Sequence, residues 1–181
     1  MNKLALALAS AVFALSIPQT ANATVETPEA REQASDAAYQ ARQDLYERFG
    51  EDFLKPNSYV WDADGIEPGE VQVVISLSDQ MAYAYRSGVL IGAASVSTAK
   101  EGMITPTGIF PVLEKKPMHR IRKYNNAPMP YMQRLDNYGI AMHAGHNPGE
   151  PASHGCIRLP AKFAAKLYGI TDVGSQVLIA A

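Results

Sequence analysis

Apolar and polar positions follow two different periods along this chain, and the change of period divides it into two predicted parts. Between residues 28 and 49, alanines and larger apolar residues recur every three or four positions, the spacing of one face of an α-helix. Thr27 and Pro28 suit the start of that helix, and Gly50 suits its end. We expect a helix over residues 28–49 whose alanine-rich face packs closely on the rest of the protein. The alternative is an extended stalk helix.

From residue 71 onwards the period changes to two, which is typical of β-strands. Strands are predicted at residues 71–77, 81–85, 89–97, 109–113, 139–143 and 176–179, and one short helix at 161–167. Many short strands joined by glycine and serine turns indicate a mainly β fold, an antiparallel sandwich or barrel. Residues 55–70, which contain several prolines and glycines, are expected to form a connector in which Trp61 packs rather than stacks on a glycan.

The first 23 residues have the pattern of an export signal. Lys3 precedes an apolar stretch from Leu4 to Ile17, and residues 21–23, Ala-Asn-Ala, form a small-x-small cleavage site. The apolar stretch is shorter than the ~20 residues of a membrane-spanning helix. We therefore expect cleavage, a mature protein that begins at Thr24, and no stable membrane insertion afterwards. The alternative is an uncleaved membrane anchor.

Length and charge narrow the class of protein further. The 181 residues suffice for one domain with a sizeable core. Without Lys3, the only charged residue of the predicted signal, 15 basic residues remain against 18 acidic ones. No basic run interleaved with aromatic residues occurs, so nucleic acid is not an expected partner. The basic stretch from Lys115 to Lys123 is interpreted either as a solvated loop or as a surface for a polymer that carries carboxylates.

Cys156 is the only cysteine of the chain. Exported proteins usually pair their cysteines, so a lone thiol next to histidine and glycine indicates a group kept for its reactivity. A thiol becomes a strong nucleophile when a nearby imidazole takes its proton. His143 lies thirteen residues upstream. The pattern predicts a cysteine enzyme with Cys156 as the nucleophile and His143 as the general base and acid.

Residues 153–158, Ser-His-Gly-Cys-Ile-Arg, together with His143-x-Gly145, resemble the signature of the L,D-transpeptidase catalytic domain (YkuD) family, which remodels bacterial peptidoglycan. Three upstream segments resemble the family in the same order: residues 105–108 (Thr-Pro-Thr-Gly), 126–132 (Asn-Ala-Pro-Met-Pro-Tyr-Met) and 148–152 (Pro-Gly-Glu-Pro-Ala). The resemblance implies the L,D-transpeptidase fold over residues 71–181, after a signal peptide at 1–23 and a helix with its connector at 24–70. It also implies an exported, periplasmic protein of the cell envelope.

The chemistry implied by the resemblance is acyl transfer on peptidoglycan stem peptides. Cys156 attacks the carbonyl of the third stem residue, the terminal D-alanine leaves, and a thioester remains until an acceptor amine resolves it. His143 protonates the leaving amine and deprotonates the attacking one. The family orients this histidine from the following residue, here through the backbone carbonyl of Ala144. No cofactor and no metal are implied.

Gly155 and Arg158 flank the nucleophile and have physical interpretations of their own. Without a Cβ, Gly155 lets its backbone approach the substrate, and its amide, with that of Cys156, is expected to stabilise the oxyanion. Arg158 either braces the loop or attracts a stem-peptide carboxylate through a forked contact.

Five further residues are assigned to the site or weighed against it. The resemblance makes Ser153 and His154 part of the loop that lines the site, and it places His119 and Tyr131 in the substrate cleft. An ordinary packed tyrosine is the alternative for Tyr131. His146 is expected to be polar surface.

Several alternatives stay open. His143, His146, His154 and Cys156 are zinc-type ligands within fourteen residues, although their spacing is irregular and no His-Glu-x-x-His pattern is present. Water as the acceptor would make the protein a peptide-bond hydrolase (an L,D-carboxypeptidase or amidase). A non-catalytic wall-binding module is a further hypothesis. The amine acceptor of a transferase is either a second stem peptide, giving a 3-3 cross-link, or an envelope protein. Residues 115–131 are expected to cover a narrow cleft.

Overall fold

A computed structural model describes residues 24–122 and 126–181, so the predicted export signal, residues 1–23, lies outside the described residues. No helix within these two ranges is long and apolar enough to cross a bilayer. The elements are α1 (Pro28–Phe49), β1 (Tyr59–Trp61), β2 (Val71–Ser76), β3 (Met81–Arg86), β4 (Val89–Ser95), β5 (Gly108–Pro111), β6 (Glu114–Ile121), β7 (Ala127–Arg134), β8 (Ala141–Ala144), β9 (Ile157–Leu159), α2 (Ala161–Ile170) and β10 (Gln176–Ala180).

The strands form two sheets. The large sheet has the order β1-β4-β3-β2-β10-β5, and the small sheet has the order β6-β7-β8-β9. Strands pair antiparallel except at two places, where β10 pairs with β2 and β9 pairs with β8 in parallel. The predicted mainly β fold, with an N-terminal helix and a short helix after the cysteine, is confirmed.

The main core combines both sheets and one face of α2. Its fully buried side chains include Val73, Ile75, Phe110, Met142, Ile157, Leu159, Phe163 and Leu167. Trp61 lies over Gly92 of the neighbouring strand, where an added Cβ would be 2.5 Å from the indole ring. The same indole meets Phe163 edge to face with ring centroids 5.5 Å apart. Trp61 is therefore a packing residue, as predicted.

The helix α1 packs against the large sheet with its alanine face. Thr27 Oγ1 accepts a hydrogen bond from the Ala30 amide at 3.3 Å, and Gly50 ends the helix in the left-handed conformation with φ of +70°. Three alanines and Leu45 join buried residues of β2, β3, β4 and β10 in a second cluster. The predicted bounds and close packing are confirmed, and α1 does not stand away from the domain as a stalk.

Most of the basic stretch lies in strand β6, which pairs with β7. Neither strand was predicted from the sequence. Prolines hid the pattern, because proline cannot donate to a sheet ladder and is confined to edges. Pro117 lies in β6, the edge strand of the small sheet, and β7 pairs with β8 only at Gln133 and Arg134. Pro128 and Pro130 therefore pair with β6 alone. The short strands β1 and β9 were also missed.

Candidate active site

The parallel strands β8 and β9 bring the predicted nucleophile and base to the same side of the small sheet. Met142 pairs with Ile157, and His143 pairs with Arg158. Because side chains alternate along a strand, the face with Met142 and Ile157 enters the core. His143 and Arg158 take the opposite face, and Cys156, one residue before Ile157, shares it.

This face borders a cavity of about 840 Å³ between the small sheet and the loops around the cysteine. Among the described residues, the lining contains all four histidines of the chain, three arginines and the cysteine, but no carboxylate. The charged and titratable residues along its wall are His119, Arg120, Arg122, Tyr138, His143, His146, His154, Cys156 and Arg158.

His143 is held in the tautomer that a general base needs. Its Nδ1 lies 2.9 Å from the Ala144 carbonyl oxygen. A carbonyl can only accept, so Nδ1 carries the hydrogen and Nε2 keeps its lone pair. The His143 side chain is buried, and burial lowers the pKa of the imidazole, which the positive charge of Arg158 lowers further. His143 is therefore neutral at neutral pH.

Cys156 is partly buried, and its Sγ donates to the Gly139 carbonyl at 3.5 Å. Burial raises the pKa of the Cys156 thiol, and the carboxylate of Asp136 adds to that rise, whereas a hydrogen bond with the Ala141 backbone and the positive charge of Arg158 oppose it. The free site thus holds a neutral thiol and a neutral imidazole rather than an ion pair. A nucleophilic role for this thiol would therefore require its proton to leave during the attack.

These directions predict the pH dependence of the site. Acylation by substrate should decline only below pH 6.5, because His143 must be unprotonated and its pKa lies below that ordinary value. Alkylation of Cys156 by iodoacetamide without substrate should rise through a midpoint above pH 9.0, because the pKa of the folded thiol is raised from that value. The urea-unfolded chain serves as the control with an ordinary thiol. A midpoint well below pH 9.0 in the folded protein would indicate a thiolate–imidazolium pair and contradict this description.

The loop before Cys156 is closed by Ser153. Its Oγ donates to the Cys156 carbonyl at 2.6 Å and accepts from the Gly155 amide at 3.0 Å. The Gly155 amide is therefore engaged within the loop, which corrects the expectation that it stabilises the oxyanion. The Cys156 amide is the remaining predicted donor. Ser153 is buried, so it shapes the loop without offering its hydroxyl to a substrate.

Gly155 is required by its backbone conformation and by two close neighbours. It has φ of +129°, a conformation that residues with a Cβ rarely adopt. An added Cβ would also be 2.7 Å from Ile140 Cδ1 and 2.9 Å from the Ile104 carbonyl oxygen. Glycine at this position lets the loop pass between these two neighbours and present the thiol.

Thr105, the first residue of the Thr-Pro-Thr-Gly segment, supports the cysteine loop from outside. Its Oγ1 donates to the Gly155 carbonyl at 2.8 Å and accepts from the Ala99 amide at 3.1 Å. Thr105 is buried, so both backbone groups depend on this hydroxyl. The sequence pattern marked this segment only through the family resemblance.

We expect Thr105→Val to lower the free energy of unfolding by ~1–3 kcal/mol, because it keeps the shape but leaves two backbone groups without their partner. Thr107→Val is the matched control, since no hydrogen bond of the Thr107 side chain is seen among the described residues. Urea denaturation of both variants gives the comparison. Equal stabilities would mean that the hydroxyl of Thr105 does not brace the loop.

The loop between β8 and the cysteine is anchored at two further points. Asn57 and Asn147 exchange two hydrogen bonds, at 2.6 and 3.0 Å, and Asn147 Nδ2 donates to the Val96 carbonyl at 2.9 Å. Ser97 Oγ donates to the Glu150 carbonyl at 2.8 Å. These contacts tie the loop to the connector and to the end of β4.

The remaining predicted residues separate into two groups. His119, His154 and Arg158 line the cavity, and so does His146, which the sequence analysis assigned to polar surface. Tyr131 does not line it. Its φ of +55° interrupts the alternation of β7, and its ring packs on Tyr168 with centroids 5.8 Å apart.

Lys115, at the start of the basic stretch, also faces away from the cavity. Its Nζ donates to the Tyr168 carbonyl at 2.8 Å and to the Thr171 carbonyl, and so caps the end of α2. The part of the basic stretch that does line the cavity is residues 119–122, which lie within and just after β6.

The described residues do not form the zinc site that the sequence left open as an alternative. Within the described residues, no group of three or more histidine, cysteine, aspartate or glutamate side chains is placed to hold a metal ion. The histidines share the cavity without converging on one point.

Asp136 is the site residue that the sequence analysis missed. Its Oδ1 accepts hydrogen bonds from three successive amides, of Tyr138, Gly139 and Ile140, at 2.8–2.9 Å. The available signal was the turn chemistry of residues 136–139, Asp-Asn-Tyr-Gly, because aspartate commonly accepts from amides two residues on.

Comparison with known proteins agrees with this geometry. The model of the L,D-transpeptidase catalytic domain matches residues 70–179, and the chain belongs to this family. A search of curated proteins found no match.

Solved structures give the same result for the fold. An L,D-transpeptidase from Mycobacterium smegmatis is 22% identical with a TM-score of 0.57, over 62% of this chain and 59% of that one. One from Stackebrandtia nassauensis is 25% identical with a TM-score of 0.56, over 64% and 58%. L,D-transpeptidase 3 from Mycobacterium tuberculosis, solved with a faropenem-derived adduct, is 21% identical with a TM-score of 0.55, over 61% and 60%. The chain thus spans about three-fifths of the length of these structures.

Proposed function

We propose that this protein is a cysteine L,D-transpeptidase that transfers peptidoglycan stem peptides through a thioester on Cys156. The observation that carries the proposal is the β8–β9 register, which places Cys156 and His143 on one face at the same cavity. The Ala144 carbonyl leaves Nε2 of His143 as the acceptor. Membership of the family supplies the substrate class, the stem peptide.

In the first half-reaction, the Cys156 thiol gives its proton to Nε2 of His143 as Sγ bonds to the carbonyl carbon of the third stem residue. The Cys156 amide donates to the oxyanion of the tetrahedral intermediate. The carbon–nitrogen bond then breaks, and His143 returns the proton to the amine of the leaving D-alanine. A thioester and a neutral imidazole remain.

In the second half-reaction, an acceptor amine attacks the thioester carbonyl and loses a proton to His143. The carbon–sulfur bond breaks, and the sulfur leaves as the thiol after receiving that proton. A new amide bond joins donor and acceptor, and the enzyme returns to its starting state. A neutral thiol and a neutral imidazole are a suitable starting state for this cycle, because His143 has to accept a proton first and then return it in each half-reaction.

The charge of the cavity favours a donor that carries carboxylates. Three arginines and no carboxylate line it among the described residues, although the whole chain has a formal net charge of −2. Arg158 lies on β9 beside His143, and its side chain packs against Gly145. A free carboxylate on the stem peptide would be attracted to this wall.

We propose an amine rather than water as the acceptor, because the full family pattern is present and nothing in it departs towards the hydrolases. A second stem peptide would give a 3-3 cross-link, and an envelope protein would become anchored to the wall. Residues of the β6–β7 hairpin form one wall of the cavity and partly shield the thioester. Both acceptors lie outside the cytoplasm, which fits the predicted export signal.

A carbapenem-type β-lactam should acylate Cys156. The reason is that the thiol and its base face an open cavity, and a faropenem-derived adduct is present on the Mycobacterium tuberculosis neighbour. Intact-mass spectrometry should show one adduct on the wild type and none on Cys156→Ser. Absence of an adduct under excess drug would mean that the cavity does not admit such a carbonyl.

The proposed reaction is tested by muropeptide analysis of cells with and without the gene, and of cells that express Cys156→Ala. New dimers with 3-3 links support cross-linking, and protein remnants on tripeptides support anchoring. Shortened or released peptides alone would overturn transfer in favour of hydrolysis. No change in any muropeptide would favour a non-catalytic wall-binding module.

A further inference from the structure

We propose that Asp136 is a positioning residue for the nucleophile: it holds the turn whose carbonyl receives the thiol hydrogen of Cys156. This inference rests on the proposed function only in taking Cys156 as the nucleophile. It concerns a residue of the turn between β7 and β8, whose side chain accepts hydrogen bonds from three amides of that turn.

The turn is fixed mainly by one carboxylate oxygen. Oδ1 of Asp136 accepts from the amides of Tyr138, Gly139 and Ile140 at 2.9, 2.8 and 2.8 Å, so a single atom gathers three consecutive donors. The side chain is only 8% exposed, which limits competition from water. Charge-assisted bonds of this kind are stronger than neutral ones.

Further contacts close the same turn. The Leu135 amide donates to the Ile140 carbonyl at 2.8 Å, and Arg134 Nη1 donates to the Asp136 carbonyl at 2.9 Å. Gly139 has φ of +102°, which orients its carbonyl in a way that residues with a Cβ rarely allow. The turn connects β7 to β8, directly before the strand that carries His143.

The turn meets the nucleophile at two places. The Gly139 carbonyl accepts from Cys156 Sγ at 3.5 Å. Ile140 Cδ1 is the atom that would lie 2.7 Å from a Cβ on Gly155, so this side chain borders the residue before the nucleophile. The turn therefore sets both the direction of the thiol and the space beside its backbone.

Asp136 acts on the thiol by geometry and by charge, and the two effects are separable. Asp136→Asn keeps an Oδ1 that can accept from the three amides but removes the negative charge. Asp136→Ala removes both. Asn137→Ala is the control within the same turn, because Asn137 Oδ1 accepts only from Arg134, at 3.3 Å, among the described contacts.

The pH profile of Cys156 alkylation distinguishes this role from a merely structural one, because a merely structural role of Asp136 would leave the profile unchanged. The other charged or titratable groups around the cavity are Arg158 on β9, His143 on β8, His119 and Arg120 on β6, Arg122 just after β6, Tyr138 in the turn, His146 in the loop after β8 and His154 in the cysteine loop. These are unchanged in all three variants. Removal of the carboxylate should therefore shift the alkylation midpoint to lower pH in Asp136→Asn, with the thermal midpoint kept close to the wild type.

The expected kinetic result for Asp136→Ala is a kcat lowered by about 10-fold to 100-fold with little change in KM, the size of effect that misplacement of a reacting atom produces. Asp136→Asn should retain most of the kcat, and Asn137→Ala all of it. Equal kcat for Asp136→Ala and wild type overturns the proposal. If Asp136→Ala does not fold, Asp136→Glu takes its place, because it keeps the charge but displaces the acceptor oxygen by one methylene group; an unchanged kcat together with an unchanged rate of Cys156 alkylation at fixed pH in that variant overturns the proposal. Alkylation needs no peptidoglycan, so its rate is independent of the proposed substrate.

Discussion

Cys156→Ala is expected to abolish transfer of stem peptides and to leave the fold intact. The reaction cannot proceed without the sulfur that forms the thioester, whereas the loop is held by Ser153, Thr105 and their backbone partners rather than by the thiol. Mass spectrometry of the products from purified enzyme and a tetrapeptide donor measures the loss. Circular dichroism on heating should give a thermal midpoint within a few degrees of the wild type, about the shift that ~1 kcal/mol produces.

The control for this experiment lies on α1, on the other side of the large sheet from the main core. Tyr39 is 71% exposed there, so Tyr39→Ala should be fully active. Wild-type turnover by Cys156→Ala would show that another group is the nucleophile. Loss of both activity and fold would leave the thiol as a packing residue and contradict the preformed loop.

His143→Ala is expected to slow acylation by ~10²-fold or more, the usual cost of losing a general base. The comparison that discriminates is His146→Ala. Both histidines line the cavity, but only His143 lies in the strand register opposite Arg158 and has its Nδ1 fixed by a carbonyl. We expect a much smaller loss for His146→Ala, measured as the rate of thioester formation by quenched-flow mass spectrometry.

Equal losses at His143 and His146 would contradict the assignment of the base and would revive a shared ligand role for the two imidazoles. Adding a chelator to the wild type separates that case. A metal-free cysteine enzyme keeps its activity in the presence of the chelator.

The sequence predicted the elements whose apolar period is uninterrupted. The helix α1, with its threonine cap and its glycine stop, was predicted with the observed bounds, and β2 and β3 follow from the alternation after Val71. In each case the local pattern and the buried face coincide, so periodicity is enough.

Prediction failed where backbone partners decide the structure. In β6 and β7, prolines and basic residues mask a pair of strands. The prolines are tolerated because each of these strands has no neighbour on one side at those positions. Tyr131 turns away from the cavity because its φ of +55° breaks the alternation, which no pattern of side chains reveals.

The candidate site shows the same division. Cys156 and His143 were found because their residue types are rare and chemically specific in this chain. The engagement of the Gly155 amide by Ser153 was not predictable, since it depends on the loop conformation. Asp136 was missed because its partners are backbone amides, which are identical at every position of a sequence.

The hydrogen bonds that hold the cysteine loop join distant parts of the chain. Thr105 and Gly155 are 50 residues apart, Val96 and Asn147 are 51 apart, and Asn57 and Asn147 are 90 apart. Forming such long-range contacts costs loop-closure entropy, because distant parts of the chain have to meet first. The β8–β9 ladder has only three pairs, and a slip of β9 by one residue would turn Cys156 towards the core while His143 stayed on the cavity face. Folding is therefore the step that brings the base to the thiol: an unfinished chain carries an ordinary cysteine without a base, and reaction with the substrate is expected only from the completed domain.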